Sequence, residues 1–170
     1  MKKIISLKEI YKVISKISRK KTVLVGGCFD IFHFGHLTFL KKAREEGNYL
    51  VVALESDEFI KKHKDRDPIH TQNQRAQILS SIVFVDLVIK LPLFKSDQEY
   101  QNLVELIKPK VIAVSENDPQ VDKKNSQAEL VGGKLKVVAN LLQGYSTENI
   151  INILNYKSFP RKRESRKLFR

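Results

Sequence analysis

The sequence predicts an α/β fold: a five-stranded parallel sheet, doubly wound, with helices on both faces in an α/β/α sandwich. Two observations carry this. Apolar, largely β-branched runs of strand length recur at residues 22–26, 48–54, 84–89, 110–114 and 134–139. Stretches with helical apolar spacing or helix-capping residues separate them. In this Rossmann-like arrangement ligands collect at the carboxyl ends of the strands, near the point where the strand order reverses. The turns that follow the strands are therefore the place to look for chemistry.

Each element has its own signal. Ile4, Leu7, Ile10, Tyr11, Ile14 and Ile17 stand near helical spacing, so residues 4–18 read as an amphipathic N-terminal helix packed on the body, not a signal peptide. Its lysine-rich polar face leaves a membrane-surface helix as the rival reading. The first strand ends at Gly26-Gly27, which permit backbone angles closed to other residues and close approach of another group. A helical pattern through Leu37, Leu40 and Ala43 follows. Ser56 or Asp57 can cap the helix after the second strand, and Thr71 the helix over 72–81. Pro92 breaks the chain after the third strand, and Pro109 stops a helix over 97–107. A helix over 122–131 leaves through Gly132-Gly133, and Ser146 or Thr147 is a natural cap for residues 148–154.

Composition bounds the class. A chain of 170 residues fits one domain, here residues 1–156, followed by a basic and loosely attached tail over 157–170. Hydrophobic content of 42% and charged content of 29% are ordinary for a soluble globular protein. No apolar run is long enough for a transmembrane helix, and one cysteine suits a reducing, cytoplasmic setting. The formal charge of +12 first points to nucleic acid. Its distribution points away: residues 1–21 carry net +7, residues 157–170 net +6, and residues 22–156 net −1.

The most informative stretch is residues 23–40, VLVGGCFDIFHFGHLTFL. A strand, a glycine turn, His33 and His36 three apart around Gly35, and a helix follow one another. A helix N-terminus offers unpaired N–H groups and the positive end of a dipole, which suits phosphate. Imidazoles at i and i+3 can point the same way from its first turn. Neither a P-loop nor a GxGxxG fingerprint is present. A zinc pair would need a third ligand, and the other histidines, His63 and His70, lie in a different segment. Cys28 reads as a small buried residue, Asp30 as a brace for the turn, and Phe29 as core or pocket wall.

These residues resemble the cytidylyltransferase-like nucleotidyltransferases, which share an HxGH motif after the first strand. GYSTENI, residues 144–150, is similar to a second family element, and the likeness runs from about Leu7 to Leu154. The resemblance implies a reaction in which an acceptor phosphate attacks the α-phosphorus of a nucleoside triphosphate and pyrophosphate leaves, with Mg²⁺ as cofactor. It implies a nucleotide site of Gly26, Gly27, Cys28, Phe29, His33, Gly35, His36, Ser146 and Thr147. It also implies phosphate contacts from His33, His36, Arg75 and a lysine after the third helix, Lys61 with Lys62 and Lys64 as alternatives. Where relatives often carry Gly-Asp after the fourth strand, this chain has Ser115-Glu116-Asn117-Asp118, and Leu141 stands where some have arginine. The acceptor implied is a sugar phosphate of the heptose 1-phosphate type with ATP. Glycerol 3-phosphate or choline phosphate with CTP, and FMN, are alternatives. Relatives are often homodimers, and neither nucleic acid nor membrane is an expected partner. A non-catalytic nucleotide- or RNA-binding module is the reading from a different class; the intact histidine pair and the neutral body speak against it.

Overall fold

A computed structural model describes residues 3–139 and 146–156. Along the chain lie β1 (Ile4–Ser6), a 3₁₀ helix (Leu7–Lys12), α1 (Ile14–Ile17), β2 (Thr22–Gly27), α2 (Phe34–Glu45), β3 (Tyr49–Leu54), α3 (Asp57–Lys64), α4 (Gln72–Ser80), β4 (Leu87–Lys90), α5 (Asp97–Ile107), β5 (Val111–Ser115), α6 (Val121–Leu130), β6 (Lys134–Ala139) and α7 (Thr147–Tyr156). The strands form one sheet in the order β1-β4-β3-β2-β5-β6, with every pairing parallel. From β2 the chain steps outward through β3 to β4, then crosses to the other side for β5 and β6. The order therefore reverses between β2 and β5.

The two faces of the sheet carry separate cores, sorted by the two-residue period of the strands. On β3, Leu50 and Val52 pack with Leu40 and Ala43 of α2 and Ala76 and Leu79 of α4. Val51 and Ala53 join Leu103, Val104 and Ile107 of α5 on the opposite face. All six β3 residues are buried, as expected where helices cover both sides.

The N-terminal segment departs from the sequence expectation. A helix over 4–18 is replaced by an edge strand, a 3₁₀ helix and a single α-turn, so the sheet has six strands, not five. Ile4 and Ile5 pair with Val88 and Ile89. The Glu9 carboxylate then accepts from both the N–H and the hydroxyl of Ser6, each at 2.9 Å, and turns the strand into the helix. Ile10, Val13 and Ile17 are buried, whereas Tyr11, expected on the packed face, is 71% exposed. Most of the apolar face is thus sunk in the core, with Leu7 and Ile14 packed against it. Among the described residues no helix is long and apolar enough to cross a membrane.

A buried polar junction ties the carboxyl ends of β2 and β3 together. Arg75 of α4 is fully buried. Its Nε donates to His70 O at 3.0 Å, one terminal nitrogen to Cys28 O, and the other to Glu55 O at 2.9 Å and Asp57 Oδ1 at 2.7 Å. Beside it, Glu55 is 6% exposed and takes the Tyr100 hydroxyl at 3.0 Å on one carboxylate oxygen. Its other oxygen is buried with no hydrogen-bond partner among the described residues. Burial pushes the Glu55 carboxyl from the ordinary 4.5 to about 7, against the opposing pull of Tyr100, Lys124 and Arg75.

Two outcomes follow. Arg75→Met leaves three carbonyls and a carboxylate short of a donor, and lowers the unfolding free energy in urea by about 3 kcal/mol; Arg75→Lys, lacking the planar fork, does not restore it. Because the native state holds the Glu55 proton more tightly than the unfolded chain, its contribution is full below about pH 4.5 and disappears as pH rises through about 7. The loss amounts to about 3 kcal/mol. Glu55→Gln flattens that decline in urea midpoints measured across this pH range.

Candidate active site

The turn after β2 is organised around Asp30, which is 2% exposed. Its carboxylate accepts from Arg66 at 2.6 Å and from the backbone N–H groups of Ile69 and His70, each at 3.1 Å. Burial works against its charge, but these donors outweigh it and hold the carboxyl below the usual range. The bracing role expected for Asp30 is the one observed. Left-handed backbone is taken not by the two glycines but by Phe29 and Ile31, each at φ 49°. Gly26 serves space instead. It is exposed at the strand end, and a Cβ there would meet no protein atom closer than 4.0 Å, so packing does not demand glycine at this pocket wall.

The turn delivers the chain to α2 with His33 as N-cap. His33 Nδ1 accepts from the His36 N–H at 3.4 Å, so its other ring nitrogen carries the proton when the ring is neutral. The two imidazoles stack with centroids 3.7 Å apart. Phe29 and Phe32 lie against the His36 ring at 5.2 and 5.7 Å. Burial, and then His33 beside it, push the His36 pKa down to about 3, and burial lowers that of His33. Both rings are therefore neutral at pH 7. His36 Nδ1 is buried with no hydrogen-bond partner among the described residues.

A cavity of about 370 Å³ opens above these groups, where β2 and β5 diverge. Gly26, Gly27, Cys28, Phe29, His33, Gly35, His36, Ser146 and Thr147 all line it. Residues more than a hundred positions apart thus meet at one end of the sheet. Thr147 Oγ1 donates to Asp30 O, fastening the start of α7 to the turn. Ser146 Oγ accepts from Asn149 N at 3.1 Å, which caps the helix and leaves its own proton available. Gly144 and Tyr145 of the same motif, and the tail over 157–170, lie outside the described residues. The Cys28 thiol is held at about 11, first by burial and then by Glu55, and is no nucleophile at neutral pH.

The cations sort differently from the expectation. Arg75 does not reach the cavity; its guanidinium lies beneath the floor and donates to Cys28 O. Lys61 pairs with Asp67 at 2.8 Å with its side chain 60% exposed, away from the lining. Of the three lysines left open, Lys64 is the one on the wall, facing Glu148 at 3.8 Å. Arg66, Ser115 and Asp118 also line the site. Arg66 was legible only as one charge in a polar loop; its place follows from Asp30. Asp118 is held by Lys124 at 2.6 Å. Among the described residues no group of His, Cys, Asp and Glu side chains could hold a metal ion.

Comparison with known proteins places this geometry in a family. Residues 24–153 match the family model described as cytidylyltransferase-like. Bifunctional protein HldE of Campylobacter fetus is 38% identical over 152 residues, 89% of this chain and 31% of that protein. The chain thus spans about a third of the length of such curated relatives. FAD synthase of Pyrococcus horikoshii is 44% identical over 96 residues, 56% of this chain and 63% of that protein. Among solved structures, the lipopolysaccharide core biosynthesis protein of Thermoplasma volcanium superposes with a TM-score of 0.58 at 25% identity, covering 75% of this chain and 99% of its own. The pantoate-beta-alanine ligase of Francisella tularensis, at 19% identity and a TM-score of 0.63, covers 90% of this chain and 76% of its own and shares the fold. With a histidine pair, a helix start and a family model all falling on the same pocket, the chain belongs to the cytidylyltransferase-like family of nucleotidyltransferases.

Proposed function

We propose that residues 1–156 form one domain that transfers a nucleoside monophosphate from ATP to a sugar phosphate of the heptose 1-phosphate type, releasing pyrophosphate. The observation that carries this is the convergence of His33, His36 and the start of α7 on one cavity. The likeness to HldE and to a lipopolysaccharide core biosynthesis protein supports the sugar phosphate. FMN is the second reading, supported by the likeness to FAD synthase.

The chemistry is positioning and charge stabilisation. Neutral His33 and His36 donate N–H groups to phosphate oxygens, where charge grows during in-line attack. The start of α7 presents first-turn N–H groups and the Ser146 hydroxyl to the triphosphate. Lys64, released from its long contact with Glu148, and Arg66 at the wall add positive charge. Arg75 positions the Cys28 turn from below. Mg²⁺ would come with the nucleotide and would shield the charge of the pyrophosphate leaving group. The described residues offer no cage for it, and none of these roles depends on one.

Pyrophosphate release, with ATP or CTP crossed against heptose 1-phosphate, glycerol 3-phosphate, phosphocholine and FMN, is expected to be fastest with ATP and heptose 1-phosphate. Preference for FMN selects the second reading, and turnover with CTP alone overturns the choice of nucleotide. His36→Ala lowers kcat/KM by about a hundred- to a thousandfold, equivalent to about 2.7–4 kcal/mol, and unchanged turnover removes the histidine from the mechanism. Lys64→Met raises KM for the nucleotide, whereas Lys61→Met leaves the kinetics as they are.

A further inference from the structure

The opposite edge of the sheet, where the strands begin, carries a feature that a charge count conceals. Three neighbouring strands are entered through lysines: Lys21 precedes β2, Lys110 precedes β5 and Lys134 opens β6. Adjacent strands lie about 4.8 Å apart, so these positions form a short row. Arg19 and Lys20 join them around an open cleft of about 620 Å³ whose lining also includes Gly132, Gly133 and the buried Val111. All five cationic residues are exposed. Among the described residues no carboxylate lines the cleft, and none of the five side chains has an ion-pair partner.

Helix dipoles account for only part of this. The carbonyl ends of α1 and α6 open onto the same edge, and cations complement such ends. Each contributes at most about half a negative charge, so roughly four of the five positive charges stay unmatched.

We propose that this cleft is a second anion site, which takes a compact polyphosphate, free or carried on a nucleoside, and reads the phosphates and not the base. The volume falls within the range of small-molecule sites. Lysine heads act as point charges on mobile stems and suit a chain of phosphates. Among the described residues no aromatic ring lines the cleft to stack a base. Gly132, at φ +69° and with nothing within 4 Å of where a Cβ would stand, leaves one wall bare. The cleft lies at the far end of the strands from His33 and His36, so the proposal stands apart from the transferase reaction.

The test is a titration of the full chain with inorganic tripolyphosphate at fixed ionic strength, followed by amide chemical shifts. Saturable shifts of Val111, Gly132 and Gly133 are expected, separate from those of Gly26 and Gly35 in the catalytic cavity. Lys110→Gln/Lys134→Gln weakens the first set about tenfold or more and leaves the second unchanged. Lys20→Gln/Lys21→Gln, a second surface variant, does the same. ATP without metal is expected to bind the cleft about as tightly as tripolyphosphate. Shifts reproduced by potassium chloride, or both double variants titrating like the parent, overturn the site. Tight binding of ATP but not of tripolyphosphate overturns the reading of phosphate alone. Stronger binding of oligouridylate than of tripolyphosphate transfers the cleft to nucleic acid and overturns the compact ligand.

Discussion

The site depends on one buried guanidinium. Arg75 donates to carbonyls from the β2 turn, the end of β3 and the segment before α4, and to Asp57 at the start of α3. Backbone carbonyls at the edge of a buried sheet need donors. A single planar fork supplies them and thereby fixes how far apart the strand ends sit. Asp30 performs the complementary task one layer higher, accepting from Arg66 and two backbone N–H groups. Between the two, a turn with Phe29 and Ile31 in left-handed conformation is held in place.

Much of this was legible because it is local. The strand–glycine–histidine–helix unit, the Thr71 and Ser56 caps and the five main strands depend on spacing and capping chemistry within a few residues. The N-terminal strand was missed because three residues carry no measurable period and the isoleucines around them fit a helix equally well. The Ser6–Glu9 capping box was the available signal, since it starts the helix at Leu7 and leaves Ile4 and Ile5 outside it.

Arginine and lysine roles were the least legible part. Whether Arg75 meets phosphate or backbone depends on which groups the fold brings within reach of its side chain, and those come from four segments. Lys61 and Lys64 are three apart on α3, yet one meets Asp67 and the other looks across the cavity to Glu148. Net charge along the sequence is similarly blind. Residues 22–156 are nearly neutral in sum, while the fold gathers Lys110 and Lys134 beside Arg19, Lys20 and Lys21 at one edge.

The attachment of α7 separates the pocket from the scaffold that carries it. Every described strand and every residue of the two cores precedes residue 146 in the chain, so the sheet and its packing draw nothing from the wall that α7 adds. The Thr147 bond to the Asp30 carbonyl then fastens that wall to the turn after β2, across 117 residues. Stability and competence thus rest on different parts of the chain: a molecule without α7 keeps its strands and cores and loses one side of its binding site.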